Sequence, residues 1–165
     1  MTTPTHATEA TPFDDGALYD LLFDSLDYGI DFVQRYGGQL TVVAVAPLTA
    51  YVVSTEPWVP TEVLEGEVRH YEQIVSKAVE RAQKEGIAGV TGVCLEGHIA
   101  EELVAFLEKH PTDLLIMGSR GLSTTKRLLL GSTSDEVLHH VTCPVLIVRC
   151  PDVTPGPKPP PPPGG

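Results

Sequence analysis

Between Asp113 and Arg149 the chain reads DLLIMGSRGLSTTKRLLLGSTSDEVLHHVTCPVLIVR. Two stretches in it, Gly118-Ser119-Arg120-Gly121 and Gly131-Ser132-Thr133-Ser134, have the composition of an anion cradle. Glycine lets backbone N–H groups approach a ligand closely and tolerates φ > 0, which phosphate-binding loops often use. Thr133 followed three residues later by Glu136 has the spacing of a capping box, which would start a helix beside the loop. A helix amino terminus offers unpaired N–H donors and partial positive charge, worth about 0.3 to 1 kcal/mol for a favourable anion. The charge distribution agrees. Residues 114 to 134 hold Arg120, Lys126 and Arg127 and no acid, so this window carries +3 within a chain of formal charge -11. An anion would be repelled by most of the remaining surface. Neither GxxxxGK[ST] nor GxGxxG occurs here, so P-loop and dinucleotide-binding chemistry are not indicated.

Other chemistry-bearing residues carry less. His139 and His140 are adjacent on a helix, so their rings diverge by about 100° and cannot share a metal from one face. His6, His70, His98 and His110 show no ligand spacing, and Ser119, Ser123, Ser132 and Ser134 have no recognisable His and acid partners for nucleophilic catalysis. Cys94, Cys143 and Cys150 are odd in number and lack C-x-x-C spacing, which argues against a disulfide framework or zinc site and fits a reducing cytoplasm. With 22 acids against 11 Lys and Arg, the chain lacks the basic face of a nucleic-acid binder. No apolar run reaches the roughly 18 residues of a membrane span, and 1 to 15 does not read as an export signal.

The elements that must position the loop follow from hydropathy. The 165 residues, 42% hydrophobic, suit one domain. Residues 1 to 16 are read as a disordered tail, 17 to 150 as the folding unit, and 151 to 165, PDVTPGPKPPPPPGG, as a disordered proline-rich tail of extended polyproline character. Within the unit, Leu40 to Ala46 reads as a buried strand and 61 to 85 as an amphipathic helix built on Leu64, Val68, Tyr71, Val75, Ala78 and Ala82. Val90 to Leu95 is a strand interrupted by Gly92. Ile99, Leu103, Phe106 and Leu107 mark a helix stopped at His110-Pro111. Asp113 to Met117 and Pro144 to Val148 are apolar strands flanking a short helix at 134 to 141. This alternation predicts a parallel sheet with helices on both faces. Residues 17 to 36 admit two readings: one long helix, with Asp20, Asp24, Asp27 and Asp31 opposite Leu18, Leu22, Leu26, Ile30 and Val33, or a short strand at 20 to 23 followed by a minimal crossover helix. Periodicity alone favours the helix.

Gly118-x2-Gly121-x9-Gly131-Ser132, after an apolar strand and before a helix leading to Cys143-Pro144-Val145-Leu146-Ile147-Val148-Arg149, resembles the nucleotide-binding signature of universal stress proteins. Weaker likeness runs through Leu95 to Ala100 and Gly37 to Ala46. The resemblance implies a Rossmann-like five-stranded parallel sheet in order 3-2-1-4-5, with an abnormally short first strand in this chain; because an all-helical 17 to 36 would leave that sheet without its central strand, the short strand at 20 to 23 is the preferred reading. It also implies a homodimer, here through the edge strand Val145 to Arg149, and ATP, with or without Mg2+, held at the carboxyl ends of the strands. By that resemblance Gly118, Gly121, Gly131, Ser132 and Thr133 surround ribose and phosphates and Val45 lies near the base, while Ser119, Arg120 and Ser134 are added as members of the same glycine-bounded phosphate cradle. The family's first strand runs into a Pro-x-Asp-Gly-Ser-like turn whose Asp approaches the adenine. Residues 19 to 28 lack that Pro and Gly, and Asp24 is the best match to the Asp. The expected function is a cytoplasmic stress-response protein that uses an adenine nucleotide as a switch, with at most slow ATP hydrolysis. The alternative is a dimerisation or interaction module that binds no nucleotide.

Overall fold

The computed structural model describes residues 15–47, 61–119 and 130–149. They form, in chain order, α1 (Asp15–Tyr36), β1 (Leu40–Ala46), α2 (Thr61–Lys84), β2 (Val90–Glu96), α3 (Ile99–Lys109), β3 (Leu115–Gly118), α4 (Ser132–His140) and β4 (Val145–Val148). β1 pairs with β2 and β3 with β4, both in parallel, with Leu40 opposite Val90 and Ile116 opposite Leu146. These are two separate two-stranded ladders. Each strand follows a helix, as the alternating pattern predicts for an α/β fold.

The preferred reading of 17 to 36 is corrected: the segment is one helix, and there is no strand at 20 to 23. The physical reason lies in its four aspartates. A middle strand of a parallel sheet is buried on both faces, so Asp20 and Asp24 would have to lose their hydration. The helix instead leaves Asp27 and Asp31 exposed and buries Leu26 and Ile30. Among the described residues no strand stands between β1 and β3. All four residues of β3 are only half-buried, although Leu115-Ile116-Met117 is a continuous apolar run.

α1 spans that interval. A Cβ added at Gly29 would lie 3.1 Å from Leu40 Cδ1 and 3.9 Å from Ile116 Cδ1, so the helix backbone approaches side chains of both ladders at this point. Its buried Leu26 and Ile30 join Val42, Ala78, Ala82 and Ile87 in the core, with Phe23, Val33, Leu40 and Val90 packed around them. One flank of α1 is tied to α2, by the Asp27–Arg81 ion pair and by Gln34 Nε2 donating to Glu85 O at 2.8 Å.

α2 ends in a Schellman turn. Gly86 takes φ +89°, its N–H donates to Gln83 O, and Ile87 N–H donates to Ala82 O. Only glycine adopts this left-handed conformation without strain, and the turn delivers Ile87 to the core beside Ala82. Further up α2, Tyr71 is 6% exposed. Burial, reinforced by the nearby Glu67, pushes its phenol from 10.0 up to about 12. The fold therefore favours the neutral phenol. That stability is complete below pH 10 and is lost as pH rises through about 12,. Tyr71→Phe should flatten the decline in urea midpoint between pH 9 and 11.5, by about 1 to 2 kcal/mol. An unchanged slope would place the alkaline sensitivity in other groups.

Candidate functional site

β3 ends at Gly118, and the next residue, Ser119, is 2% exposed. Its N–H donates to Val148 O at 2.8 Å, which extends the β3–β4 ladder by one step. Its carbonyl accepts the Gly131 N–H at 2.7 Å, so the chain leaves at Ser119 and returns at Gly131 through a single hydrogen bond. Ser134 Oγ donates to Gly118 O at 2.9 Å, clamping the first turn of α4 to the end of β3. Val137, fully buried, anchors the next turn.

The capping box expected from Thr133 and Glu136 is not present. α4 starts at Ser132 with Gly131 as its N-cap, in extended conformation (φ -77°, ψ 158°), and no side chain caps it. Asp135 N–H donates to Gly131 O at 2.9 Å. The amides of Ser132 and Thr133 precede the first intrahelical bond and have no acceptor within the helix. Because the cap is a glycine, no side chain shields them. Such amides favour an anion, although Asp135 in the same turn, exposed and 3.9 Å from His139 Nδ1, opposes one.

Of the residues expected to form the site, Gly118, Ser119, Gly131, Ser132, Thr133 and Ser134 are brought together at the carboxyl end of β3. Ser134 spends its hydroxyl on Gly118, which makes it a structural clamp. Arg120 and Gly121, with Lys126 and Arg127, lie outside the described residues. Val45, 7% exposed, stands near the carboxyl end of β1, in register with Leu95. Asp24 lies well inside α1 and not on a turn after a strand, which removes the reason for assigning it.

The observed start of α1 points to a signal missed in the sequence. Directly before and at that start the chain reads Pro12-Phe13-Asp14-Asp15-Gly16, close to the Pro-x-Asp-Gly turn sought between 19 and 28. Residues 12 to 14 themselves lie outside the described residues.

Two clefts lie elsewhere. One of about 420 Å³ is lined by Leu64, Glu65, Val68, Arg69 and Glu96. Another of about 630 Å³ lies between the ends of α3 and α4 and the starts of β3 and β4, where Leu107, Asp113, His140 and Pro144 line it. Neither includes a residue of the glycine-bounded turn. Among the described residues no cluster of three or more His, Cys, Asp or Glu is placed to hold a metal, and no helix is long and apolar enough to cross a membrane.

The family model described as the universal stress protein family matches residues 24–149. The chain belongs to that family. It is 34% identical over 113 residues to the universal stress protein YxiE of Bacillus subtilis, covering 68% of this chain and 74% of that one. A universal stress protein of Methanocaldococcus jannaschii is 28% identical over 138 residues, covering 80% of this chain and 77% of the relative. Among solved structures, universal stress protein UspA from Lactobacillus plantarum superposes with a TM-score of 0.66 at 18% identity, covering 84% of this chain and 92% of that one. A universal stress protein in complex with cAMP superposes with a TM-score of 0.55 at 22% identity, covering 84% and 91%. These structures support the α/β Rossmann-like fold of the universal stress proteins.

Proposed function

We propose that this universal stress protein binds an adenine nucleotide, ATP or a relative, at the carboxyl end of β3. The carrying observation is the glycine-capped start of α4, whose open amides lie beside the hydrogen bond joining Ser119 to Gly131. Gly118, Gly131, Ser132 and Thr133 take the phosphates and ribose, with Ser119 and Ser134 shaping the turn and Arg120 and Gly121 completing it. Lys126 and Arg127 supply further positive charge. Val45 is assigned to the base. Any Mg2+ enters with the phosphates. The family member solved with cAMP lends weight to a nucleotide in this fold. Hydrolysis is at most slow, and the nucleotide acts as a switch by favouring one conformation of the protein over another. The full sheet is five-stranded in order 3-2-1-4-5. The working form is a cytoplasmic homodimer joined through Val145 to Arg149.

A second reading, an interaction module without nucleotide, is favoured by the half-buried β3 beside an interval that no described strand fills. Titration calorimetry of the full chain with ATP and Mg2+, and separately with cAMP, decides between them. Saturable heat with either nucleotide at micromolar to millimolar concentration is expected. No heat with both at millimolar concentration would leave the interaction module as the function.

A further inference from the structure

The flank of α1 that faces away from α2 carries three exposed aromatic rings. Tyr28, Phe32 and Tyr36 recur every fourth residue, so they form one stripe along the helix. They are 55%, 39% and 74% exposed, and the Phe32 and Tyr36 rings lie 4.8 Å apart at 45°. Asp27 and Gln34, which hold α1 to α2, lie on the other side of the helix. The stripe continues onto the sheet. Ile116 points at Gly29 of α1, and its register partner Leu146 therefore faces the same side. At 38% exposed, Leu146 extends the apolar surface from α1 to β4. Rings this accessible, arranged in a row beside an open aliphatic side chain, form a shelf of the kind on which polyproline helices pack.

We infer that this shelf binds the proline-rich segment of the same chain, residues 154–163, in polyproline II conformation. The proposal does not depend on the nucleotide reading. Four observations on chemistry and length choose this occupant. Pro159 to Pro163 is an uninterrupted run of five prolines, spanning about 15 Å at about 3.1 Å per residue, against roughly 12 Å along α1 from Tyr28 to Tyr36 at about 1.5 Å per residue. Prolines have no N–H to satisfy, and their carbonyls can accept from the two tyrosine hydroxyls. The segment follows β4, the strand that bears Leu146. Arg149 is three residues, or about 10 Å, beyond Leu146, while the nine residues from Cys150 to Lys158 reach about 28 Å, enough to turn back to the shelf. The polarity also matches. A segment turning back from β4 runs in the direction of α1, which places Lys158 at the amino end of the stripe, beside Asp24 one turn before Tyr28. Asp24 is half-buried there, whereas Asp31, farther along the helix, is already paired with Arg35 at 2.8 Å. Tethering makes the contact intramolecular at an effective concentration on the order of millimolar, so weak intrinsic affinity is sufficient.

The test compares the full chain with a chain ending at Arg149, by 13C-resolved aromatic and methyl NMR. In the full chain the ring signals of Tyr28, Phe32 and Tyr36 and the Leu146 methyls should be shifted from their positions in the shortened chain, while the core methyls of Val42 and Ala78 stay in place. A synthetic peptide of residues 154–163, added at millimolar concentration to the shortened chain, should reproduce the shifts. Lys158→Glu in the full chain should lower the bound fraction about threefold or less, as expected for an exposed ion pair. Phe32→Ala should remove most of the remaining ring shifts. Because Phe32 also contacts the helix surface, Val42 and Ala78 serve again as the control for folding. Identical ring spectra for the full and shortened chains would overturn the proposal. Shifts of the Tyr28 and Phe32 rings that grow with protein concentration in the full chain but not in the chain ending at Arg149 would also overturn it, by assigning the shelf to the tail of a second copy.

Discussion

Gly131→Val is expected to weaken adenine-nucleotide binding by more than about a hundredfold while leaving the far-ultraviolet circular dichroism unchanged. Gly131 is the N-cap of α4, it is buried, and its N–H closes the turn onto Ser119 O. Its φ of -77° is open to any residue, so valine does not strain the backbone. Two methyl groups would instead stand over the amides of Ser132 and Thr133. Hydrogen bonds to a charged group contribute roughly 1.5 to 3 kcal/mol each, and losing two of them gives the stated effect or more. The loss of a favourable cap residue adds a small cost in stability, visible as a drop of a few degrees in the thermal midpoint. Gly131→Ala should fall between valine and the parent. Normal affinity in the valine variant would show that the start of α4 takes no part in binding.

The second large effect concerns stability. A Cβ added at Gly92 of β2 would lie 2.5 Å from Val75 Cγ1 and 3.0 Å from Val79 Cγ2. Both valines belong to α2, and Val75 is 6% exposed. β-branched side chains on a helix have one favoured rotamer, so they cannot swing aside, and the helix must move off the sheet. Overpacking of this kind costs about 1 to 3 kcal/mol. Gly92→Ala should therefore lower the thermal midpoint by roughly 5 to 10 °C. Val75→Ala alone leaves a void and is also destabilising. Combined, the two changes should cost clearly less than their sum, because the new methyl occupies the space released. Strict additivity in the double-mutant cycle would mean that the helix and strand do not meet at this point.

Seven of the eight described elements are legible in the sequence because their signals are local. The spacing of Tyr71, Val75, Ala78 and Ala82 fixes the buried face of α2, and the β-branched run from Leu40 to Ala46 reproduces β1 to the residue. Gly92 illustrates a partial reading: it weakens the strand signal locally, and only the packed structure shows that its missing side chain admits α2. α1 was misread because a requirement of the whole sheet, a strand for its middle, was allowed to outweigh a clear helical period. The four aspartates on one side of that period were the better guide. The return of the chain from Gly118 to Gly131 was legible from glycine spacing, but the cap of α4 was not. Sequence alone favoured the side chain of Thr133, whereas the tight return of the chain onto Ser119 brings the cap two residues earlier, to a glycine. The proline-rich tail had a recognisable composition, and the aromatic stripe that suits it emerged only when α1 proved to be one uninterrupted helix.

Because the ends of the 120 to 130 segment meet at one hydrogen bond between Ser119 and Gly131, its length is uncoupled from the geometry of β3, β4 and α4. Lengthening such a closed loop is penalised only logarithmically, by about 0.6 kcal/mol per doubling. The segment is therefore an exchangeable cassette: its eleven positions can change in sequence and number while Ser134, Gly118 and Val148 keep the two strands and the helix in register.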